Sequence, residues 1–377
     1  MAALTRLGEL TFACEPSIGR CHLFLRDANH RPNSAESGDI RSISSSHARR
    51  FWCLQELGQP GQSARRGLAG CAFAHRGPAC YDMPGKNQGA RRGMTNPANW
   101  LWPSGKRTAV VFNVCLEAWS DGKAPGISPM GNPLPAGVLD TMAISWAAYG
   151  VKRGIYRLLE GLRQQRAVAS VMVSAVIAER VPDAVRAISD AGHEVLSHSY
   201  AMDVIPALLS DEEERNNIAR CTALLEKASG RKVEGWLSPR GTSRAETPRL
   251  LIEAGYRWYG DVFDDDLPYV QTFGNGEIVA IPLGTDVNDM QFMKYGNAPK
   301  AMLESFHENL TVAKHMRELS ILDVTCHAHI FGRPRGAYYY EKIIEAAVRD
   351  PDIWIGTRAQ IARHVLAQKA SSDADRF

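Results

Sequence analysis

The side chains best suited to proton chemistry fall where apolar runs stop. Asn113-Val114-Cys115-Leu116-Glu117-Ala118-Trp119 closes one run with an acid, which is costly there unless paired or hydrogen-bonded. A surface glutamate at a turn is the plainer reading of Glu117 taken alone. Gly192-His193-Glu194-Val195-Leu196-Ser197-His198 closes another; its histidines are five apart and face opposite sides of a strand. Gly235-Trp236-Leu237-Ser238-Pro239-Arg240-Gly241 sets a guanidinium at a rigid proline turn. Arg240 there is either a clamp for a planar carbonyl or carboxylate or a structural salt bridge. Two acidic clusters follow: Asp264-Asp265-Asp266-Leu267-Pro268-Tyr269, and Asp286 to Met290 with Asn288 and Asp289. Finally, in Cys326-His327-Ala328-His329-Ile330-Phe331-Gly332-Arg333-Pro334, His327 and His329 share one face of an extended segment. Such a pair can bind a metal or shuttle protons.

The elements that must position these groups are short β-rich runs alternating with amphipathic helices. Expected strands are 108–117, 168–177, 194–198, 233–238, 257–262, 278–283, 321–327 and 353–356. Several are apolar throughout, which suits parallel strands covered on both faces. Ser210-Asp211-Glu212-Glu213 reads as a capping box opening a helix that ends near Gly230. Helices 182–191 and 245–254 are each stopped by the glycine that follows. Seven or eight βα repeats over about 270 residues point to a barrel rather than an open doubly wound sheet. No G-x-G-x-x-G or Walker motif follows the first strand. Barrel enzymes gather their chemistry at the C-terminal strand ends, where the polar residues above fall.

Composition narrows the classes. Residues 1–93 carry 13 Lys+Arg against 7 Asp+Glu, a net of +6, so the whole-chain charge of +3 leaves −3 for the rest. A mildly acidic body gives no sign of a nucleic-acid groove. No apolar run approaches the roughly 18–20 residues of a membrane span, and Gly8 and Glu9 interrupt the only signal-like stretch. The 8 cysteines form no C-x-x-C pair, consistent with a reducing compartment and a cytoplasmic location. Residues 1–93 lack sustained periodicity and read as a disordered tail or a mis-assigned extension. The catalytic barrel is expected over 94–370, with a tail at 371–377, and residues 1–93 are expected to be dispensable.

The acid-ended first strand, G-H-E-x-x-x-H, G-W-x-x-x-R, D-D-D-L-P-Y, N-D-M and H-x-x-x-x-G-R-P in this order resemble the polysaccharide-deacetylase (NodB-homology) superfamily. Within it the chain is most similar to the metal-independent allantoinases, through Asp264–Tyr269, Asn288–Met290, and Gly332-Arg333-Pro334 after His327. Tyr149-Gly150 matches their aromatic-glycine entry to the first barrel helix. The likeness covers roughly residues 99–366. Departures are clear. Asn113-Val114 stands where metal-dependent deacetylases have an acid pair, and Met202 replaces the second histidine of H-[ST]-x-x-H. A thioether is a poor Zn²⁺ ligand, so the usual metal site is expected to be absent and no cofactor is expected. Leu116 also precedes a single Glu117 where the allantoinase pattern has a pair of glutamates.

The resemblance implies a distorted (β/α)7–8 barrel that hydrolyses a ureide, cyclic imide or amide, a small-molecule substrate, in a homo-oligomer. Glu117 is expected as base or water-positioning acid, His327 as acid to the leaving nitrogen, and His198 as a substrate or water ligand. Arg240 would meet the substrate carbonyl. Asp264, Asp265, Asn288, Asp289, His329 and Arg333 would complete the binding shell, with Trp119 and Trp236 either walling the pocket or packing in the core. Two alternatives stand beside this. One is a metal-dependent N-deacetylase of sugars, with zinc or another divalent ion on Glu117, His198 and His327. The other is a non-catalytic binding relative.

Overall fold

The computed structural model describes residues 10–15, 20–25, 91–93, 100–129, 131, 134–135, 137–274 and 276–374. They belong to two units, 1–81 and 82–377. In the first, β1 (Leu10–Glu15) pairs antiparallel with β2 (Arg20–Leu25). A hairpin pairs through its backbone, so it needs none of the side-chain periodicity that is missing from this stretch.

The second unit is built on a ten-stranded curled sheet. Thr108–Leu116 (β4) lies at its heart. Ser320–His327 (β11) runs parallel along one edge of β4, in register from Ser320↔Thr108 to His327↔Cys115. The other edge is shared: Ile353–Ile355 (β12) takes Thr108–Val110, and Ser170–Val173 (β5) takes Asn113–Leu116. Beyond β5 the parallel order continues through β6 (Glu194–Ser197), β7 (Gly235–Trp236), β8 (Trp258–Tyr259) and β10 (Gly276–Ala280). Two antiparallel strands then extend the edge, β9 (Tyr269–Phe273) and β3 (Arg91–Gly93).

The expected barrel is thus present but mixed and incompletely closed. The chain after β10 returns to β11 through a single parallel bridge, Asn288 to Thr325, with the Thr325 N–H donating to the Val287 carbonyl at 2.9 Å. β9 and β3 pair mainly by backbone, so no apolar alternation announced them. β3 also shows that the sheet begins before Met94. A chain starting at Met94 should fold with a melting temperature a few degrees lower, about 2–4 °C per kcal/mol for a domain of this size. A start at Asp82 should restore it, and calorimetry distinguishes the two.

Helix signals were accurate. Ser210 caps Asp211–Ser229 (α5) with both arms of the capping box formed, and Gly230 ends it at φ +70°. Pro182–Asp190 (α4) and Thr247–Glu253 (α6) match the expected spans. Val176–Arg180 (α3) begins where the second strand was expected to continue. The final helix, Arg358–Ala374 (α10), runs on through the start of the expected tail.

Strand parity divides the interior. On β4, Val110, Phe112, Val114 and Leu116 pack outward against the helices, while Ala109, Val111 and Cys115 point into the barrel. Asn113 and Glu117 share the inward parity. Arg358 closes the barrel floor: its guanidinium donates to Asp323 at 2.6 Å, Asn113 Oδ1 at 3.0 Å and the Ile281 carbonyl at 3.2 Å. Such a buried pair is well supplied with hydrogen bonds, the condition for tolerating its desolvation.

Candidate active site

Above this floor, the inward residues of β4 and β11 converge with the end of β6. Glu117 Oε1 lies 3.6 Å from His198 Nε2 and 3.5 Å from His327 Nε2, and Oε2 lies 3.9 Å from His329 Nε2. The expectation that the first and seventh strands bring Glu117 and His327 together holds, because β11 pairs directly with β4. The expectation of a wet cleft around them does not. Glu117 is 6%, His198 3%, His327 7% and His329 1% exposed.

Each ring is oriented from behind. His198 Nδ1 donates to the Leu237 carbonyl at 2.6 Å, which leaves Nε2 toward Glu117. Ser199, in the left-handed region at φ +59°, turns the chain immediately after it. His327 Nδ1 is 2.6 Å from Asp289 Oδ1, while Asp289 Oδ2 accepts the backbone N–H groups of His327 (2.7 Å) and Phe331 (3.3 Å). Asp289 is therefore a buried support for His327 rather than an outer binding group. Asn288 is engaged in capping Asp289–Lys294 (α7), its Oδ1 accepting from Met290 N at 3.0 Å.

The charges set one another. Burial works to raise the Glu117 carboxyl, but His327, His198 and His329 outweigh it and hold it at about 2. Burial works to depress His327, but Cys115, Asp289 and Glu117 outweigh it, and the ring is held well above the usual histidine range. The two shifts favour a Glu117 carboxylate beside a protonated His327, while burial pulls Asp289, behind the ring, upward against the pull of His327. His329 is pushed down to about 4, chiefly by burial. Neither of its ring nitrogens has a hydrogen-bond partner among the described residues, and its ring meets Trp146 edge-on at 4.5 Å and Trp119 at 6.0 Å.

The remaining candidates are dispersed. Arg240 is exposed on the turn after β7, at φ +61°, with no ion pair among the described residues. Asp264 and Asp265 lie in an exposed loop; Asp264 accepts from Tyr269 Oη at 2.8 Å, and Asp265 Oδ1 from the N–H groups of Asp266 and Leu267. Trp119 is half-buried beside Glu117. Trp236 is not a wall: its outward parity puts it in the core, fully buried, edge-on to Tyr256 and donating to Ser238 Oγ. Arg333 stacks over Tyr149 at 4.2 Å and donates to the His329 carbonyl, so it braces the turn carrying the histidines.

Two inward groups escaped the sequence reading. Cys115 lies two residues before Glu117 on the same face, buried, with its thiol pushed up by desolvation. Asp261, half-buried after β8, binds Ser238 N and Oγ at 2.7 and 2.6 Å and is raised by burial to about 6. Its local signal is Trp258-Tyr259-Gly260-Asp261, an acid two residues past an aromatic strand end, beside the longer acid run at 264–266.

Ligand atoms of Cys115, Glu117 and His327 lie within 4.8 Å of one another. With Nδ1 of His198 and His327 both engaged, their Nε2 atoms are the ones free for a metal. The donors present therefore fit a divalent cation, although Met202 and Asn113 depart from the expected ligand pattern.

Residues 148–259 match the model of the polysaccharide deacetylase family, and the chain carries a domain of that family. A Schizosaccharomyces pombe protein named as a polysaccharide deacetylase is 24% identical over 313 residues, 71% of this chain and 92% of its own. A Mycobacterium smegmatis structure, named as a polysaccharide deacetylase, shares 28% identity at TM-score 0.63 over 73% of this chain and 96% of its own. The crystal structure of PuuE allantoinase shares 26% identity at TM-score 0.64, covering 72% and 95%. No helix among the described residues is long and apolar enough to cross a membrane.

Proposed function

We propose that the chain is a hydrolase of non-peptide C–N bonds, acting on a small ureide, cyclic imide or amide. The observation that carries this reading is the buried Glu117 carboxylate held between His198 Nε2 and an Asp289-backed His327 imidazolium. The polysaccharide-deacetylase match over residues 148–259 and the likeness to PuuE allantoinase support the same class.

Water bound against Glu117 attacks the carbonyl carbon, forming a C–O bond and a tetrahedral oxyanion. A carboxylate held near 2 keeps a proton poorly, so Glu117 holds the water's proton only until His327 can take it, while His198 Nε2 stands at the same oxygen and helps hold the water. The C–N bond then breaks as His327 Nε2–H protonates the leaving nitrogen. Because Oε1 of Glu117 lies 3.5 Å from His327 Nε2, the water's proton then passes from Glu117 to the emptied His327 and the resting pair is restored. Arg240, exposed on the turn after β7 and without an ion pair among the described residues, would have to swing in from that turn to serve as the donor to the oxyanion, and removing one such donor elsewhere costs about 3–4 kcal/mol.

A second reading follows from the donor set. Glu117, His198 and His327 would hold a divalent ion, which when bound would supply a Lewis acid and a water of lowered pKa. One experiment addresses both readings: hydrolysis of allantoin, hydantoins, cyclic imides and N-acetylglucosamine oligomers, with and without chelator, alongside elemental analysis. The expected outcome is ring opening that survives chelation, with less than one zinc per chain. Activity confined to the sugar oligomers and lost with a stoichiometric metal would put the deacetylase first. Turnover of nothing in the panel would favour a binding protein.

A further inference from the structure

The opening beside Glu117 carries a chemistry that the polar cluster does not require. It holds about 270 Å³, just below the roughly 300–1,000 Å³ of drug-sized ligand sites. Its inner end is Glu117; of the four clustered ionisable groups, this one alone lines it. Ser120, Asp121, Lys123, Lys152 and Arg180 also line it, Arg180 tied to Asp121 and to the Trp119 carbonyl, but most of the wall is hydrocarbon. Trp119 forms one side, Ile144, Ala148 and Val151 another, and Ile177 of α3 a third. Residues 144, 148 and 151 follow the i, i+4, i+7 spacing of a single helical face, and all three are half-buried. They lie on Thr141–Tyr149 (α1) and the π-turn Gly150–Gly154 that continues it.

A glycan subsite must satisfy several ring hydroxyls, and hydroxyls set against isoleucine, valine and alanine lose their water without replacement. The same walls gain by excluding water from a hydrocarbon group. Because Glu117 itself lines the opening, a substrate whose carbonyl carbon meets Glu117 can set a neighbouring substituent in it.

We infer that the cleft selects, among small ureides and cyclic imides, those bearing an apolar substituent of a few carbons on the atom beside the scissile carbonyl. Trp119, Ala148 and Val151 are the specificity-determining residues. The inference rests on the hydrolytic reading above and goes further in naming the substituent.

The test uses the full chain and compares hydantoin with its 5-isobutyl derivative. The substituted ring should have a kcat/KM at least about tenfold higher, the lower end of what a single methylene achieves in an apolar pocket. Ala148→Trp fills the cleft and should bring that ratio to near one. Val151→Thr, which adds a hydroxyl with little change of volume, should reduce it several-fold and covers the case in which the tryptophan variant does not fold. Equal rates on the two rings, or a preference that both variants leave intact, would overturn the inference while leaving the hydrolytic reading standing. If neither ring is hydrolysed, that reading fails on its own, and calorimetric binding judges the cleft. Tighter binding of the substituted ring, weakened by Val151→Thr, supports it; indistinguishable affinities defeat it.

Discussion

Glu117→Gln and His327→Ala should each lower kcat by at least about 10²-fold, the scale of a positioned proton-transfer group. The double variant should lose little more than the worse single one, because the two groups pass one proton between them and act as a unit. The pH profile of kcat/KM should be a broad plateau. Activity falls on the acid side as the Glu117 carboxylate, held at about 2, takes a proton. It falls on the alkaline side as His327, held well above 6.5, loses one. Neutral pH lies on the plateau, and a narrow optimum between 4.5 and 6.5 would contradict the arrangement.

Stability follows the same two groups with opposite signs. The depressed Glu117 contributes stability present above its ordinary value of 4.5 and lost as pH falls toward 2. The raised His327 contributes stability present below its ordinary value of 6.5 and lost as pH rises through its folded value. Burial also corrects the expectation that the variants would be stability-neutral. His327→Ala leaves Asp289 buried without its ring partner, at a cost of about 3 kcal/mol. The low end of that range applies because two backbone N–H groups remain on Oδ2. Activity must therefore be normalised to folded protein. Near wild-type turnover per folded molecule in His327→Ala would reduce His327 to a packing role.

Much of this was legible where side chains obey a period. Parity along β4 and β11, together with their adjacency, follows from apolar runs ending in Glu117 and His327. What escaped were groups whose meaning depends on a partner distant in sequence. Asp289 looked like an outer ligand because nothing local ties it to His327, 38 residues on. Trp236 stayed open between wall and core because a two-residue strand gives no run from which to read its parity. Arg358 carries no local signal of its burial, since its partners Asn113 and Asp323 are 245 and 35 residues away. The acid run at 264–266 proved a solvated turn, and the half-buried Asp261 just before it is the one tied to its neighbours, through Ser238. The antiparallel β9 and β3 escaped for a related reason, since edge pairing through backbone leaves little trace in side-chain order.

Glycine spacing gives the second large effect. Gly154→Ala should lower stability by about 3 kcal/mol or more and cut kcat by about 10²-fold in the molecules that do fold. A Cβ on Gly154 would fall on the Ala328 carbonyl oxygen, well inside contact distance, with Gly332 Cα just beyond. Both neighbours are backbone, so no flexible side chain can yield, and overpacking at a rigid site costs about 1–3 kcal/mol or more. Gly332 faces the same carbonyl from the other side, and Gly150 has His329 N 3.1 Å from its would-be Cβ. The π-turn Gly150–Gly154 thus lies directly against the turn that follows β11. Tyr149 locks the two segments together, taking Arg333 on its ring face while its hydroxyl accepts from Arg157 at 2.7 Å. The aromatic-glycine and Gly-Arg-Pro signals are therefore two halves of one backbone contact, and Pro334 simply opens Pro334–Arg349 (α9). Because Ala328 sits between His327 and His329, relief of the clash must move one or both rings against Glu117. A shift of 1 Å is enough to cost about 10² in rate. Gly161→Ala on the same helical stretch provides the control, since its Cβ would meet only Glu341 side-chain atoms at 3.9 Å. If Gly154→Ala melts and turns over like Gly161→Ala, the close approach does not hold the histidines, and their placement must come from Asp289 alone.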